Sequence, residues 1–211
     1  MKRFIITLLA LCSTGVTRAE LPQDFPTNQV NNYENLKAWF TDAPHTTAQF
    51  EMERTMLSGR VLKSRGFFEY RRGQGMMWRS DYPVRNALVI TTEALKVYDA
   101  KGRELRTVSL QGSGAARFTS AFSQEMTPAQ LKQLEKAFVI TTMADPERNR
   151  LLVGMKARHS ANDLRWMLLV VQNKSLHQVN YESSRQGLTK VVFSKVRHAS
   201  SVPQGQFPLV P

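Results

Sequence analysis

From Thr47 to Leu110 the chain alternates apolar and polar residues in short bursts separated by turn-forming residues. TAQFEMERTML (47–57) sets Ala48, Phe50 and Met52 against Gln49, Glu51 and Glu53, the period of two that a half-buried strand requires. Residues 60–72 and 76–82 form a strand pair joined at Gly73-Gln74-Gly75, followed by ALVIT (87–91), ALKVYD (94–99), a turn at Ala100-Lys101-Gly102 and ELRTVSL (104–110). Such spacing of strands and turn signals predicts an antiparallel meander. A Gly/Ser/Ala-rich stretch (111–126) interrupts it, and TPAQLKQLEKAF (127–138) predicts a helix, with Thr127 and Gln130 as a capping box and Pro128 at its first position. Period two resumes at 138–145, 150–158, 164–172, 176–183 and 188–197. Before the first strand, Asn31-Asn32 offers an N-cap to YENLKAWF, a short helix that ends at Asp42-Ala43-Pro44. Residues 20–30 read as a leader with little periodicity, and the tail SSVPQGQFPLVP is too rich in proline for a central strand. The reading is about ten antiparallel strands in one domain, with helices inserted so that they cover the open side of a curling sheet.

The first nineteen residues change the compartment. Lys2 and Arg3 precede a mostly apolar run from Phe4 to Val16, and Thr17-Arg18-Ala19 places small residues where a signal peptidase cuts. This predicts a secretory signal peptide over 1–19 and an exported mature chain over 20–211, since the apolar run is shorter than the roughly 20 residues of a membrane span. Cys12 leaves with the signal, so the mature chain has no thiol chemistry and no disulfide. Loss of Lys2, Arg3 and Arg18 lowers the formal charge from +12 to +9, a balance that favours anionic partners. Nucleic acid is not expected of an exported chain, and the basic residues are spread along the strands without a cluster, as on a solvated sheet face.

No catalytic or metal pattern emerges. His45, His159, His177 and His198 are scattered without ligand spacing, and Gly112-Ser113-Gly114 lacks the strand–turn–helix context of a nucleophile elbow. Asp145 and Glu147 flank Pro146 in a turn. The expectation is a non-enzyme without cofactor or metal.

The informative stretch is GFFEYRRGQGMMWRSDYP (66–83). By parity Phe68 and Tyr70 share a face, as do Met76 and Trp78, and as do Phe50 and Met52 one strand earlier. An ordinary core explains these residues; so does an apolar cavity, for which methionine is well suited because it adapts to irregular ligands.

The order and spacing of these elements resemble the periplasmic lipoprotein carriers of the LolA type. Thr46-Thr47-Ala48-Gln49-Phe50 stands for that family's F-x-A-x-F-x-Q-like strand, Gly66 to Arg72 for G-x-L-x-Y/V-x-R-P, Trp78 to Pro83 for the W-x-x-x-x-P strand end, and Leu95 to Asp99 for the paired strand ending in Y-D/N. The ending VPQGQFPLVP is similar to the family's closing segment, so the likeness runs over most of the mature chain. Gly73 stands where the family has proline, Ile90-Thr91-Thr92-Glu93 replaces its S-D-G turn and Lys96 a common tryptophan, as in a divergent branch.

The resemblance implies a mainly β fold, an unclosed antiparallel β-barrel of about ten or eleven strands whose helices form a lid over an apolar cavity. It implies that Phe50, Met52, Phe68, Tyr70, Met76 and Trp78 line the cavity, that Leu36, Trp39, Phe40, Phe118 and Phe122 form the underside of the lid, and that Arg72 points inward as a latch on the lid helices. Arg71 beside it is expected on a solvated strand end. The implied cargo is the acyl part of a lipoprotein or related lipid, passed from an inner-membrane donor complex to an outer-membrane acceptor by a monomer. The alternative from a different class is a non-catalytic β-rich interaction module with a filled core and a basic docking surface. An anchored acceptor would need a lipidated cysteine near the mature start, and none follows Cys12; a hydrolase is the least supported.

Overall fold

A computed structural model describes residues 21–29, 43–110, 128–159 and 163–210. The signal segment 1–19 and the lid residues Leu36, Trp39, Phe40, Phe118 and Phe122 lie outside them. The elements are β1 (Asn28–Gln29), β2 (His45–Thr55), β3 (Val61–Arg71), β4 (Gly75–Tyr82), β5 (Asn86–Ile90), β6 (Ala94–Asp99), β7 (Glu104–Ser109), α1 (Pro128–Ala137), β8 (Phe138–Asp145), β9 (Arg150–Ala157), β10 (Leu164–Gln172), β11 (Ser175–Ser183) and β12 (Gly187–Ala199). All the strands belong to one antiparallel sheet in the order β1-β8-β9-β10-β11-β12-β2-β3-β4-β5-β6-β7. β1 and β7 are its edges, so the barrel is not closed. The two-residue β1, paired with Thr141 and Thr142, is the strand that the leader reading missed.

Two meanders, β2 to β7 and β8 to β12, are joined where β12 pairs with β2 from Leu188↔Thr55 to Ala199↔His45. A bulge between Ser194 and Arg197 bends this seam, with Lys195 in the left-handed region at φ 51°. β3 and β4 also shift register, at Arg65/Gly66, and there the strands approach closely. A Cβ at Gly66 would stand 1.9 Å from the Arg79 carbonyl oxygen. Because backbone cannot yield as a side-chain tip does, Gly66→Ala is expected to cost more than about 3 kcal/mol, read as a fall in the urea midpoint.

One face of the sheet is lined by Phe138, Ile140, Leu151, Val153, Met155, Met167, Leu169 and Val171, on which Leu134 of α1 packs. Arg158 donates through Nε to the Glu135 carbonyl at 2.6 Å, satisfying an acceptor that the helix end leaves open. The same face continues into Ala48, Phe50, Val191 and Phe193, with Leu176 and Val179 packed against both groups. On the opposite face Leu152, Trp166, Leu168 and Val170 are covered by Phe25, whose ring meets Trp166 edge-on at 6.2 Å. Gly154 provides its notch: a Cβ there would be 2.7 Å from the Phe25 ring.

Candidate functional site: the inner aromatic face

The register places all six sequence-predicted wall residues on one face. Phe68 lies opposite Trp78 and Ala48, Tyr70 opposite Met76, Phe50 opposite Gly66, and Met52 opposite Ser64. Phe50 is buried; Met52, Phe68, Tyr70, Met76 and Trp78 are half-buried. Phe50 reaches across β3 to Trp78, with centroids 5.2 Å apart and planes at 67°. Phe68 meets Trp78 at 4.8 Å and Phe193 at 5.4 Å.

The most telling distance is Trp78 to Phe193, 5.6 Å between centroids. Their strands, β4 and β12, stand three steps apart in the sheet. Flat strands at that separation are roughly 14 Å apart, more than two rings standing perpendicular to the sheet would span. The sheet therefore curls with this face inside.

Beyond the quartet the inner face remains apolar but is less covered. Met76 pairs with Ile90 and Trp78 with Leu88, and Leu88 and Ile90 pair with Val97 and Leu95. Leu88, Ile90 and Val97 are half-buried. Phe193, Leu88 and Ile90 were not singled out in the sequence. Their own strands show the parity, but only the β12–β2 and β4–β5 pairings bring them beside Phe50 and Trp78. The inner face also holds a polar group, where Arg54 donates to the Thr189 hydroxyl at 3.1 Å and reaches the Tyr181 hydroxyl at 3.5 Å.

Arg72 lies just past β3 and is half-buried, and its backbone N–H donates to the Pro44 carbonyl at 2.8 Å. Arg71 departs from expectation. It is buried on the outer face, 3 % exposed, rather than solvated. Its Nε donates to Glu69 Oε1 at 2.7 Å, its Nη1 to the Gly205 carbonyl at 2.9 Å, and its guanidinium lies 4.5 Å from the Phe207 ring centroid. His45 Nε2 meets the same Glu69 oxygen at 2.9 Å. Arg79 Nη1 donates to the carbonyls of Pro208 and Val210 at 3.3 and 3.5 Å. The two arginines thus bind residues 205–210 across the outer face of β3 and β4, where Met77 is fully buried.

His198 has its Nδ1 at 2.9 Å from the Thr46 hydroxyl and its Nε2 at 2.8 Å from that of Ser175, tying β12 to β2 and β11. Hydroxyls occupy both ring nitrogens, so no carboxylate orients this imidazole as a general base. Burial lowers its pKa below the ordinary histidine value. Among the described residues no cluster of histidine, cysteine or carboxylate side chains forms a metal site.

No protein-family model matches the chain, and no curated protein sequence matches it. Among solved structures it is similar to a LolA superfamily protein from Nitrosomonas europaea, at 7% identity over 81% of this chain and 92% of that one, with a TM-score of 0.40. It is similar to an outer membrane lipoprotein-sorting protein domain from Vibrio parahaemolyticus, at 11% identity over 81% and 92%, with a TM-score of 0.42. A third is MucB in complex with MucA(peri), at 13% identity over 82% of this chain and 57% of that one, with a TM-score of 0.41.

Proposed function

We propose that this protein is a periplasmic carrier that takes the acyl chains of a lipoprotein or related lipid onto its inner face and moves them toward the outer membrane. The observation that carries this reading is the curled apolar face itself, with an aromatic quartet at its centre and half-buried Met76, Leu88 and Ile90 continuing from it. Physical chemistry supplies the rest. An acyl chain gains about 0.8 kcal/mol per buried CH₂, so a ~16-carbon chain gains on the order of 10 kcal/mol, enough to hold it out of water. Nothing in such binding requires catalysis. Phe50, Met52, Phe68, Tyr70, Met76 and Trp78 are the proposed wall. Leu36, Trp39, Phe40, Phe118 and Phe122 are the proposed underside of the lid, and Arg72 is the proposed latch; a few hydrogen bonds of net ~1 kcal/mol each form a bias that a partner overturns. An inner-membrane donor and an outer-membrane acceptor are the corresponding partners.

The test is to export the chain to the periplasm, purify it without detergent, and apply native mass spectrometry followed by solvent extraction. A bound acylated species is the expected result. An empty protein that also ignores apolar fluorescent probes would overturn the carrier. The second reading, an interaction module with a filled core, is favoured by the close ring packing around Trp78, and that outcome would select it.

A further inference from the structure

Alternate turns of an antiparallel meander fall on the same rim of a sheet. One rim here collects the β9–β10 link, with Arg158 and Asp163, and the turns at 56–60, 83–85, 100–103 and 184–186. The turn at 184–186 belongs with that at 56–60 because Leu188 pairs with Thr55. It also sits directly on that hairpin: a Cβ at Gly187 would be 2.2 Å from the Thr55 carbonyl oxygen and 3.1 Å from the Met56 carbonyl carbon.

These four turns carry Arg60, Arg85, Lys101, Arg103 and Arg185, and no acidic residue. The turns of the opposite rim, at 72–74, 91–93, 146–149 and 173–174, mix Arg72, Arg148 and Lys174 with Glu93 and Glu147. Cations that are scattered along the chain are therefore gathered by topology. The acids beside these turns are engaged locally: Asp81 pairs with Arg79 at 3.5 Å and Glu104 with Lys96 at 3.4 Å. Asp99 accepts from the Lys101 and Arg103 backbone N–H groups at 2.9 Å and pairs with the Arg103 side chain at 2.7 Å, bonds that hold its carboxyl below the usual range. Asp163 stands 4.0 Å from Arg185.

Apolar exposure gathers in the same place. Of the nine large apolar side chains exposed among the described residues, six stand on or beside these turns: Leu57, Val61, Tyr82, Val84, Leu105 and Leu188. Leu57, at the tip of the β2–β3 hairpin, is the most exposed of them at 65 %. Cations alone would suit any acidic partner. Bare aliphatic side chains between those cations, with a tyrosine among them, have the composition of a surface that partitions into the headgroup region of a membrane.

We infer that this rim docks on an anionic phospholipid bilayer, with Leu57 and Leu188 entering the boundary between headgroups and acyl chains and Arg60, Arg85 and Lys101 set against the lipid phosphates. The inference stands apart from the carrier reading, because it concerns the rim and not the inner face.

Vesicle flotation tests it, with the exported chain and unilamellar vesicles of phosphatidylcholine containing about one third phosphatidylglycerol. Flotation with these vesicles is expected, with none on pure phosphatidylcholine and loss in ~1 M salt, where the Debye length is about 3 Å. Leu57→Ser with Leu188→Ser, and separately Arg60→Gln with Arg85→Gln, are each expected to weaken binding at least about tenfold. Arg148→Gln with Lys174→Gln on the opposite rim removes the same charge and is expected to leave binding within about twofold. These positions are on or beside turns, and circular dichroism checks that each variant is folded. Absence of flotation overturns the inference. So does equal weakening by both charge pairs, which marks generic adhesion of a basic protein. Binding to polyglutamate that depends on Arg60 and Arg85, without vesicle binding, would assign the rim to an acidic protein instead.

Discussion

Arg71→Met is expected to lower the unfolding free energy by about 3–5 kcal/mol, the cost of leaving a buried charge without its partner. The side chains of Arg71 and Glu69 are both 4 % exposed, and the 2.7 Å bond between them is screened by almost no water. Without Arg71, Glu69 keeps its 2.9 Å contact to His45, while the Gly205 carbonyl and the Phe207 ring lose their cation. In urea, with a slope of ~2 kcal/mol per molar, the midpoint should fall by roughly 2 M. Adding Glu69→Gln to Arg71→Met should restore part of the loss, because the second change removes the stranded charge. A solvated strand-end arginine would cost less than about 1 kcal/mol and show no such rescue. The same substitution frees the chain that Arg71 clamps, so cleavage within 200–210 by a broad-specificity protease should speed up in native buffer. A large loss of stability with an unchanged cleavage rate would show that the pair holds the sheet and not the tail.

Arg71 also marks the boundary of what the sequence made legible. Its strand was readable, as were almost all the others, because a two-residue alternation shows in the order of side chains: 164–172 was predicted with the bounds found, and the helix at 127–138 lies at 128–137. Faces were readable for the same reason, so Phe68, Tyr70, Met76 and Trp78 were assigned together before any pairing was known. What alternation cannot carry is which distant strand lies next to which. Phe193 stands beside Phe50 only because β12 closes against β2 across some 140 residues of chain. An arginine after Glu69-Tyr70 reads as solvated until residues 205–210 return to cover it. The two-residue β1 was hidden for a different reason: it is too short for any period, and it sits in a leader with two prolines. The turn cations were visible as single residues, but their shared rim is a property of the meander.

Met76→Glu is expected to abolish binding of an acyl-chain fluorophore while leaving the fold in place. Met76 lies on the inner face between Tyr70 and Ile90 and is half-buried, outside the ring contacts that join Phe50, Phe68, Trp78 and Phe193. A carboxylate there keeps access to water in the empty protein. With an acyl chain laid over it, the carboxylate must lose that hydration without gaining a partner, a cost of several kcal/mol. Each 1.4 kcal/mol is about tenfold in affinity, so a loss of at least 100-fold follows from about 2.8 kcal/mol. Phe68→Glu should also remove binding, but it places the charge 4.8 Å from the Trp78 ring and 5.4 Å from Phe193 in the ring positions now held, so it should lower the urea midpoint as well. Gln49→Glu is the control for charge alone, since Gln49 is exposed on the outer face of the same sheet; its probe affinity should match the parent's. Three results then separate the readings. Loss in Met76→Glu with an unchanged midpoint places the ligand on the inner face. Undiminished binding by Met76→Glu removes that face from the ligand path, whatever the protein carries. Absence of probe binding by the parent itself leaves the aromatic quartet as a filled core, and the acyl carrier reading falls with it.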